Sequence, residues 1–139
     1  MASILKVDDL RGNTSAGDIT ITSEGGAATQ SLQQGLAKVW FQFNGAASTP
    51  VYLDSLNGAS ITDNGTGDYT SNYTNNMNDT NYSFVGMCGG AAIAGGTYVV
   101  CSNTLTSSSS KIAICRNDEN VTTATDKSQV SGNLTGDLA

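Results

Sequence analysis

Histidine is missing from this chain altogether. Its absence removes the commonest general base, the usual activator of a Ser or Cys nucleophile and the commonest zinc ligand. Charge is also scarce, at 13% of residues against about a quarter in an average domain. The six basic residues, Lys6, Arg11, Lys38, Lys111, Arg116 and Lys127, are scattered through a chain of net charge −6. No patch among them would neutralise a row of phosphates, so nucleic acid is not an expected partner. Aromatic residues make up only 6%, with one Trp, so a 139-residue chain has little material for a large core. No run approaches the 18 apolar residues of a membrane span, and the N-terminus has no apolar stretch of the signal-peptide kind. The expectation is a protein made in a cytoplasm, without membrane insertion.

Cysteine is present three times, at Cys88, Cys101 and Cys115. Spacings of 13 and 14 residues are not those of a zinc site, and an odd count does not close a disulfide framework. We read the three as buried thiols acting as small hydrophobes. Cys101 and Cys115 both end apolar strands, which leaves a cross-strand disulfide as the alternative.

What fills the chain is Ser, Thr, Asn and Gly, punctuating short β-type runs. The stretch Ala59–Met87 is the most informative. Ser60-Ile61-Thr62 is stopped by Asp63-Asn64-Gly65-Thr66-Gly67-Asp68, whose glycines and Asx residues suit a reversing loop. Tyr69, Ser71 and Tyr73 then alternate with Thr70, Asn72 and Thr74, the period of a half-buried strand. After a second turn cluster at Asn75–Thr80, Tyr82, Phe84 and Val85 open a third run, so the stretch reads as a three-stranded meander.

Before it, Lys38–Asn44 is the most apolar strand, with Val39, Phe41 and Phe43 on one face and Trp40 and Gln42 on the other, and it should sit centrally. The only proline, Pro50, precedes a strand at Val51-Tyr52-Leu53. Leu32, Leu36 and Val39 recur at helical spacing between Thr29 and Val39, permitting one helix of two to three turns despite Gly35. Ser3–Asp9 and Asp18–Thr22 read as two short strands with almost no local apolar partners. They form an arm that needs a neighbour or a second chain, joined on by the Ser23–Ala28 hinge. Thr97–Cys101 and Lys111–Cys115 are further strands, and the Gly89–Gly96 and Ser107–Ser110 loops are candidate exposed surface.

The expected fold is all-β: a small antiparallel β-sandwich or meander domain, preceded by an extended β N-terminal arm and a short helical or linker segment. Its divisions are an attachment and oligomerisation arm (1–35), a sandwich-like domain (36–120) and a polar C-terminal tail (121–139).

Few residues suggest chemistry. The Asp63–Asp68 loop offers two carboxylates to a cation but lacks the ligand alternation of a calcium loop, so a plain turn is expected. Asp8-Asp9 and Asp118-Glu119 are adjacent acids, which a strand points to opposite faces. Gly25-Gly26, Gly89-Gly90 and Gly95-Gly96 lack the lysine of a phosphate loop. No catalytic residue, cofactor or metal site is expected. Trp40, Tyr69, Tyr73 and Tyr82 are the candidate site residues, as a core or subunit-interface face or as a sugar-binding platform.

The phrase SITDNGTGDYTSNYTNNMNDTNYS resembles a segment of tail-fibre and other appendage proteins of bacteriophages, marine ones especially. The opening ASILKVDDLRGNTSAGDITIT and the run QQGLAK are similar to small virion proteins of the same phages. The resemblance spans roughly the first three-fifths of the chain. It implies a non-enzymatic structural protein on the particle surface, as a capsid decoration, knob or short fibre, made in a bacterial host's cytoplasm. Implied partners are copies of itself, a trimer first, and other capsid or tail proteins. The alternative is a receptor-binding tail-fibre tip for host surface glycans, using the Tyr-rich face and the loops within 86–116.

Overall fold

The computed structural model describes residues 4–13, 19–22, 25–26, 28–90, 97–118 and 121–139. The chain forms two compact units, Met1–Leu36 and Ala37–Ala139.

In the first unit β1 (Thr20–Thr22) pairs antiparallel with β2 (Thr29–Ser31), Ile21 opposite Gln30. A single helical turn, α1 (Leu32–Gly35), follows, and the Leu32 N–H donates to the Ile19 carbonyl at 2.7 Å. The two-to-three-turn helix expected over Thr29–Val39 does not form. Gly35 weakens it, and an isolated helix that short is marginal, whereas Val39 extends into a strand and pairs with Leu134. Residues 4–13 include no strand, and Ile4 and Leu5 are 78% and 79% exposed. Of the Ser23–Ala28 hinge, residues 23, 24 and 27 lie outside the described residues.

The second unit is an antiparallel β-sandwich. Its first sheet runs in the order β4 (Tyr52–Leu56), β3 (Ala37–Phe43), β11 (Gln129–Thr135), β7 (Ser83–Gly89). The second contains β5 (Gly58–Gly65), β6 (Asp68–Tyr73), β9 (Ser109–Asp118), β8 (Thr97–Leu105) and β10 (Val121–Ala124). β8 lines one edge of β9 from Ser110 to Asn117, while β6 pairs with Ser109–Ala113 and β10 with Cys115–Asp118. A strand has only two edges, so β6 and β10 share one end to end. Ile114 marks the handover, donating its N–H to the Gly67 carbonyl and accepting from the Thr125 N–H.

The chain passes between sheets at sharp corners. Asn57, with φ 60°, is the sole residue between β4 and β5. Asn tolerates this left-handed backbone, and its carboxamide is tied to the Asn75 main chain in both directions, at 2.7 and 3.0 Å. β5 and β6 make the expected hairpin, but β7 belongs to the other sheet, so Ala59–Met87 is not a three-stranded meander. The reason lies in the connection: the segment after Tyr73 buries Met77 and Tyr82 at the end of the sandwich before β7 begins.

The strands present alternate residues to one shared interior: Val39, Phe41 and Phe43 from β3, Tyr69 and Tyr73 from β6, Ile112 and Ile114 from β9, Val130 and Leu134 from β11. Phe43 and Tyr69 meet edge-to-face across the sheets with centroids 5.1 Å apart. β11 overturns the expected polar tail at 121–139. Its Val130 and Leu134 are fully buried and it pairs on both sides, with β3 and β7. Two apolar residues suffice because Gly132 lies between them, giving its space to the Phe41 ring.

Asp126, on the crossing from β10 to β11, ties this late segment to the early hairpin. Its Oδ1 accepts from the Gly67 N–H at 2.7 Å and from the buried Tyr69 hydroxyl at 2.5 Å. Asp126→Ala would strand the Gly67 N–H and leave the Tyr69 hydroxyl only the Gly45 carbonyl, so a loss of about 1–2 kcal/mol is expected in urea unfolding. A change below about 0.5 kcal/mol would show that water replaces the carboxylate.

Candidate ligand-binding face

The outer faces of the two sheets differ in chemistry. On the β5–β6 hairpin the Asn72 amide donates to Ser60 Oγ (3.1 Å) and Thr62 Oγ1 (3.2 Å), and the Asn64 amide donates to Thr70 Oγ1 (2.9 Å). Lys111 and Asp68 pair at 3.0 Å. This surface meets water with its polar groups already matched to one another.

The outer face of the first sheet is assembled from strands far apart in sequence. Alternation on β3 turns Trp40 and Gln42 outward, opposite Val39, Phe41 and Phe43. The register then builds two cross-strand rows, Leu56–Trp40–Asn133–Val85 and Asp54–Gln42–Ser131–Met87. Trp40 and Gln42 on β3 and Val85 and Met87 on β7 flank Ser131 and Asn133 on β11, and the surface dips between them. The resulting trough holds about 380 Å³ and is lined by Trp40, Gln42, Val85, Met87, Ser131 and Asn133. A second hollow of about 140 Å³ continues it past Gln42, Met87 and Ser131 to Gln129. Trp40 is 37% exposed, Val85 64% and Met87 71%. No charged side chain lines either hollow.

Trp40 alone of the four sequence-derived site residues reaches this face. Tyr69, Tyr73 and Tyr82 are buried in the sandwich interior at 0%, 6% and 8% exposure, so the four do not form a common platform. Alternation places Tyr69 and Tyr73 together, but on the inner face of β6, where each hydroxyl finds a partner at the rim of the core. Tyr69 contacts Asp126 and the Gly45 carbonyl (2.7 Å), and Tyr73 meets the Tyr82 hydroxyl at 3.2 Å. The Tyr82 hydroxyl reaches the Thr106 carbonyl at 2.8 Å. Burial raises the pKa of all three phenols, since a phenolate there would lose its hydration.

The remaining polar candidates are engaged locally. In the Asp63–Asp68 loop, Asp63 accepts from the Gly65 N–H at 2.9 Å, and Asn64 turns its amide donor toward Asp68 (3.3 Å). Among the described residues no cluster of three or more His, Cys, Asp or Glu is grouped to hold a metal ion. Asp9 pairs with Arg11. Glu119 and the Gly95-Gly96 pair lie outside the described residues. All three cysteines are free, and they are not uniformly buried: Cys101 is exposed, Cys88 and Cys115 half-buried. Cys101 faces Ala113 while Cys115 faces Val99, so the two thiols are offset by two pairs along the ladder rather than opposed. Burial raises the Cys88 pKa, partly offset by Lys127, which keeps that thiol protonated and unreactive near neutrality.

The partners of Trp40 were not legible beforehand. Both faces of Ser83–Gly89 carry apolar residues, so β7 has no evident outside, and nothing in the sequence marks Asn133 as the neighbour of Trp40.

No family model, curated protein or solved structure matches this chain.

Proposed function

We propose that this chain is a non-enzymatic structural protein displayed on the surface of a bacteriophage particle, as a capsid decoration, knob or short fibre component. The observation that carries the reading is the contrast between its two units. The sandwich has a buried core of its own, whereas the N-terminal unit buries no apolar side chain among its described residues and leaves Ile4, Leu5, Val7 and Leu10 between 52% and 79% exposed. Apolar side chains so concentrated in a short segment belong against a partner, and an attachment arm on a projecting domain accounts for both. The appendage-like motifs point the same way, and the absence of histidine deprives the chain of the usual catalytic base. Its partners in this reading are copies of itself, a trimer first, and capsid or tail proteins.

Cryo-EM of a virion carrying an epitope-tagged copy tests this. Density on the capsid lattice or on the tail is the expected result, and absence from the particle would overturn it. Light scattering of the purified chain should give a homo-oligomer, and a monodisperse monomer at micromolar concentration would remove the oligomerisation role of the arm.

A second reading, a receptor-binding module for host glycans, is supported by a different observation: the open, uncharged trough beside the single Trp. The two are compatible, since a displayed protein can carry a receptor site.

A further inference from the structure

Four polar groups converge on the trough over β11 without a partner of their own. The Trp40 indole N–H, the Gln42 and Asn133 carboxamides and the Ser131 hydroxyl make no side-chain hydrogen bond among the described residues, and all four residues line the one hollow. Five other amides, those of Asn57, Asn64, Asn72, Asn75 and Asn81, are by contrast bonded within the protein. The trough thus pairs an aromatic face and apolar walls with unspent neutral donors and acceptors, the make-up of a small-molecule site, and its volume of about 380 Å³ lies in the range of such sites.

The lining decides what kind of molecule fits. With no charged group in either hollow and a net charge of −6 on the chain, nothing offsets the desolvation of an anionic ligand. A purely apolar occupant, whether a peptide segment or the same face of a second copy, would cover Gln42, Asn133 and Ser131 and leave them unsatisfied at about 1–3 kcal/mol each. The occupant must therefore present an apolar face to Trp40 and, beside it, groups that both donate and accept. A carboxamide offers its N–H₂ and C=O side by side, which adjacent hydroxyls match. The hollow past Ser131 reaches a third amide, Gln129, and Asn133 to Gln129 spans on the order of 13 Å of strand, favouring a chain over a single ring.

We propose that this trough binds a neutral, linear saccharide, one sugar ring stacked on Trp40 and its hydroxyls bonded to Gln42, Asn133 and Gln129. The inference rests on the receptor-binding reading and names its site and ligand class. It moves the site from the tyrosines to the opposite face of the neighbouring sheet.

Trp40 is the only tryptophan, so its emission reports on the trough directly. The full chain would be titrated with short linear glucans, xylans and mannans and with oligogalacturonate, by fluorescence and calorimetry. At least one neutral saccharide should shift the emission and bind in the sub-millimolar range. Calorimetry on Trp40→Ala should then show affinity lowered by about tenfold or more, with Asn133→Ala and Gln42→Ala also weakened. Trp40 and Asn133 face outward, so circular dichroism and melting temperature should stay near those of the parent. No response from any neutral saccharide at millimolar concentration would overturn the proposal. So would tighter binding of oligogalacturonate, or an emission blue shift that grows with protein concentration alone and is abolished by Val85→Asp, which would identify a second copy as the occupant. Particle localisation is measured separately, and loss of the saccharide site would leave it unchanged.

Discussion

The sandwich is expected to unfold cooperatively as the pH is raised beyond about 10, with phenolate absorbance and loss of β circular dichroism rising together. Tyr69, Tyr73 and Tyr82 are buried in the core, and burial raises the pKa of each above its ordinary value of 10.0. A group whose folded pKa is raised contributes stability that is intact below the unfolded pKa and is lost as pH climbs toward the folded one. Below pH 10 all three are protonated in both states and nothing changes. Above it the unfolded chain releases protons that the folded chain retains, at Tyr69 and Tyr73 over the widest range. Each such tyrosine then removes about 1.4 kcal/mol per pH unit, or about 3 kcal/mol for Tyr69 and Tyr73 together. A small domain at the lower end of the usual range of about 5–15 kcal/mol reaches its midpoint about two pH units above 10. Tyr69→Phe should lower the slope by about 1.4 kcal/mol per pH unit, although it also removes the bond to Asp126. Titration of these three phenols near pH 10 with the circular dichroism unchanged would contradict the burial.

Gly132→Ala is expected to be among the most damaging single-methyl additions in the molecule. Gly132 pairs with Phe41 on one side and with Gly86 on the other, all facing inward. A Cβ at Gly132 would stand 2.3 Å from Phe41 Cζ and 2.8 and 2.9 Å from two further ring carbons. The ring has nowhere to retreat: it is 2% exposed and packs against Phe43 and Tyr52 with centroids about 6 Å away. Gly86 is as tight, its Cβ position lying 2.6 Å from Val100 Cγ1. Overpacking of this kind costs about 3 kcal/mol, which for a unit of this size lowers the melting temperature by about 10–20 °C. The cause is a clash with one ring, so Phe41→Leu should partly rescue it. The double variant should be at least about 1 kcal/mol more stable than the two single losses predict. Additivity of the two, or a Gly132→Ala protein within about 0.5 kcal/mol of the parent, would place the ring elsewhere.

These two predictions draw on residues whose roles differ in how far they can be read without coordinates. Alternation within Lys38–Phe43 and Asp68–Tyr73 identifies Val39, Phe41, Phe43, Tyr69 and Tyr73 as one-faced and Trp40 as their opposite, because side-chain period in a strand is a property of the backbone alone. The β5–β6 hairpin follows as directly, since the Asx and Gly residues of Asp63–Gly67 carry their turn chemistry locally. What alternation leaves open is which face becomes the inside. Tyr69 and Tyr73 are equally consistent with a core and with an aromatic platform, and only the second sheet packing over them decides it.

Composition, the all-β class, the turn positions and the split of Trp40 from the phenylalanines were therefore set by the sequence itself, through local backbone preference. Strand order was not. β11 lies between β3 and β7 across separations of roughly ninety and forty-five residues, and its merit there is a small residue, Gly132, where a ring needs room. A missing side chain leaves no periodic signal, which is why Gln129–Thr135 reads as a polar tail. The trough has the same origin. Its walls come from β3 and β7 and its floor from β11, and Ser131 and Asn133 become a floor only once Trp40, Gln42, Val85 and Met87 stand on either side. Tertiary packing decided both, because each depends on the size of a side chain relative to partners that the chain brings together only when folded.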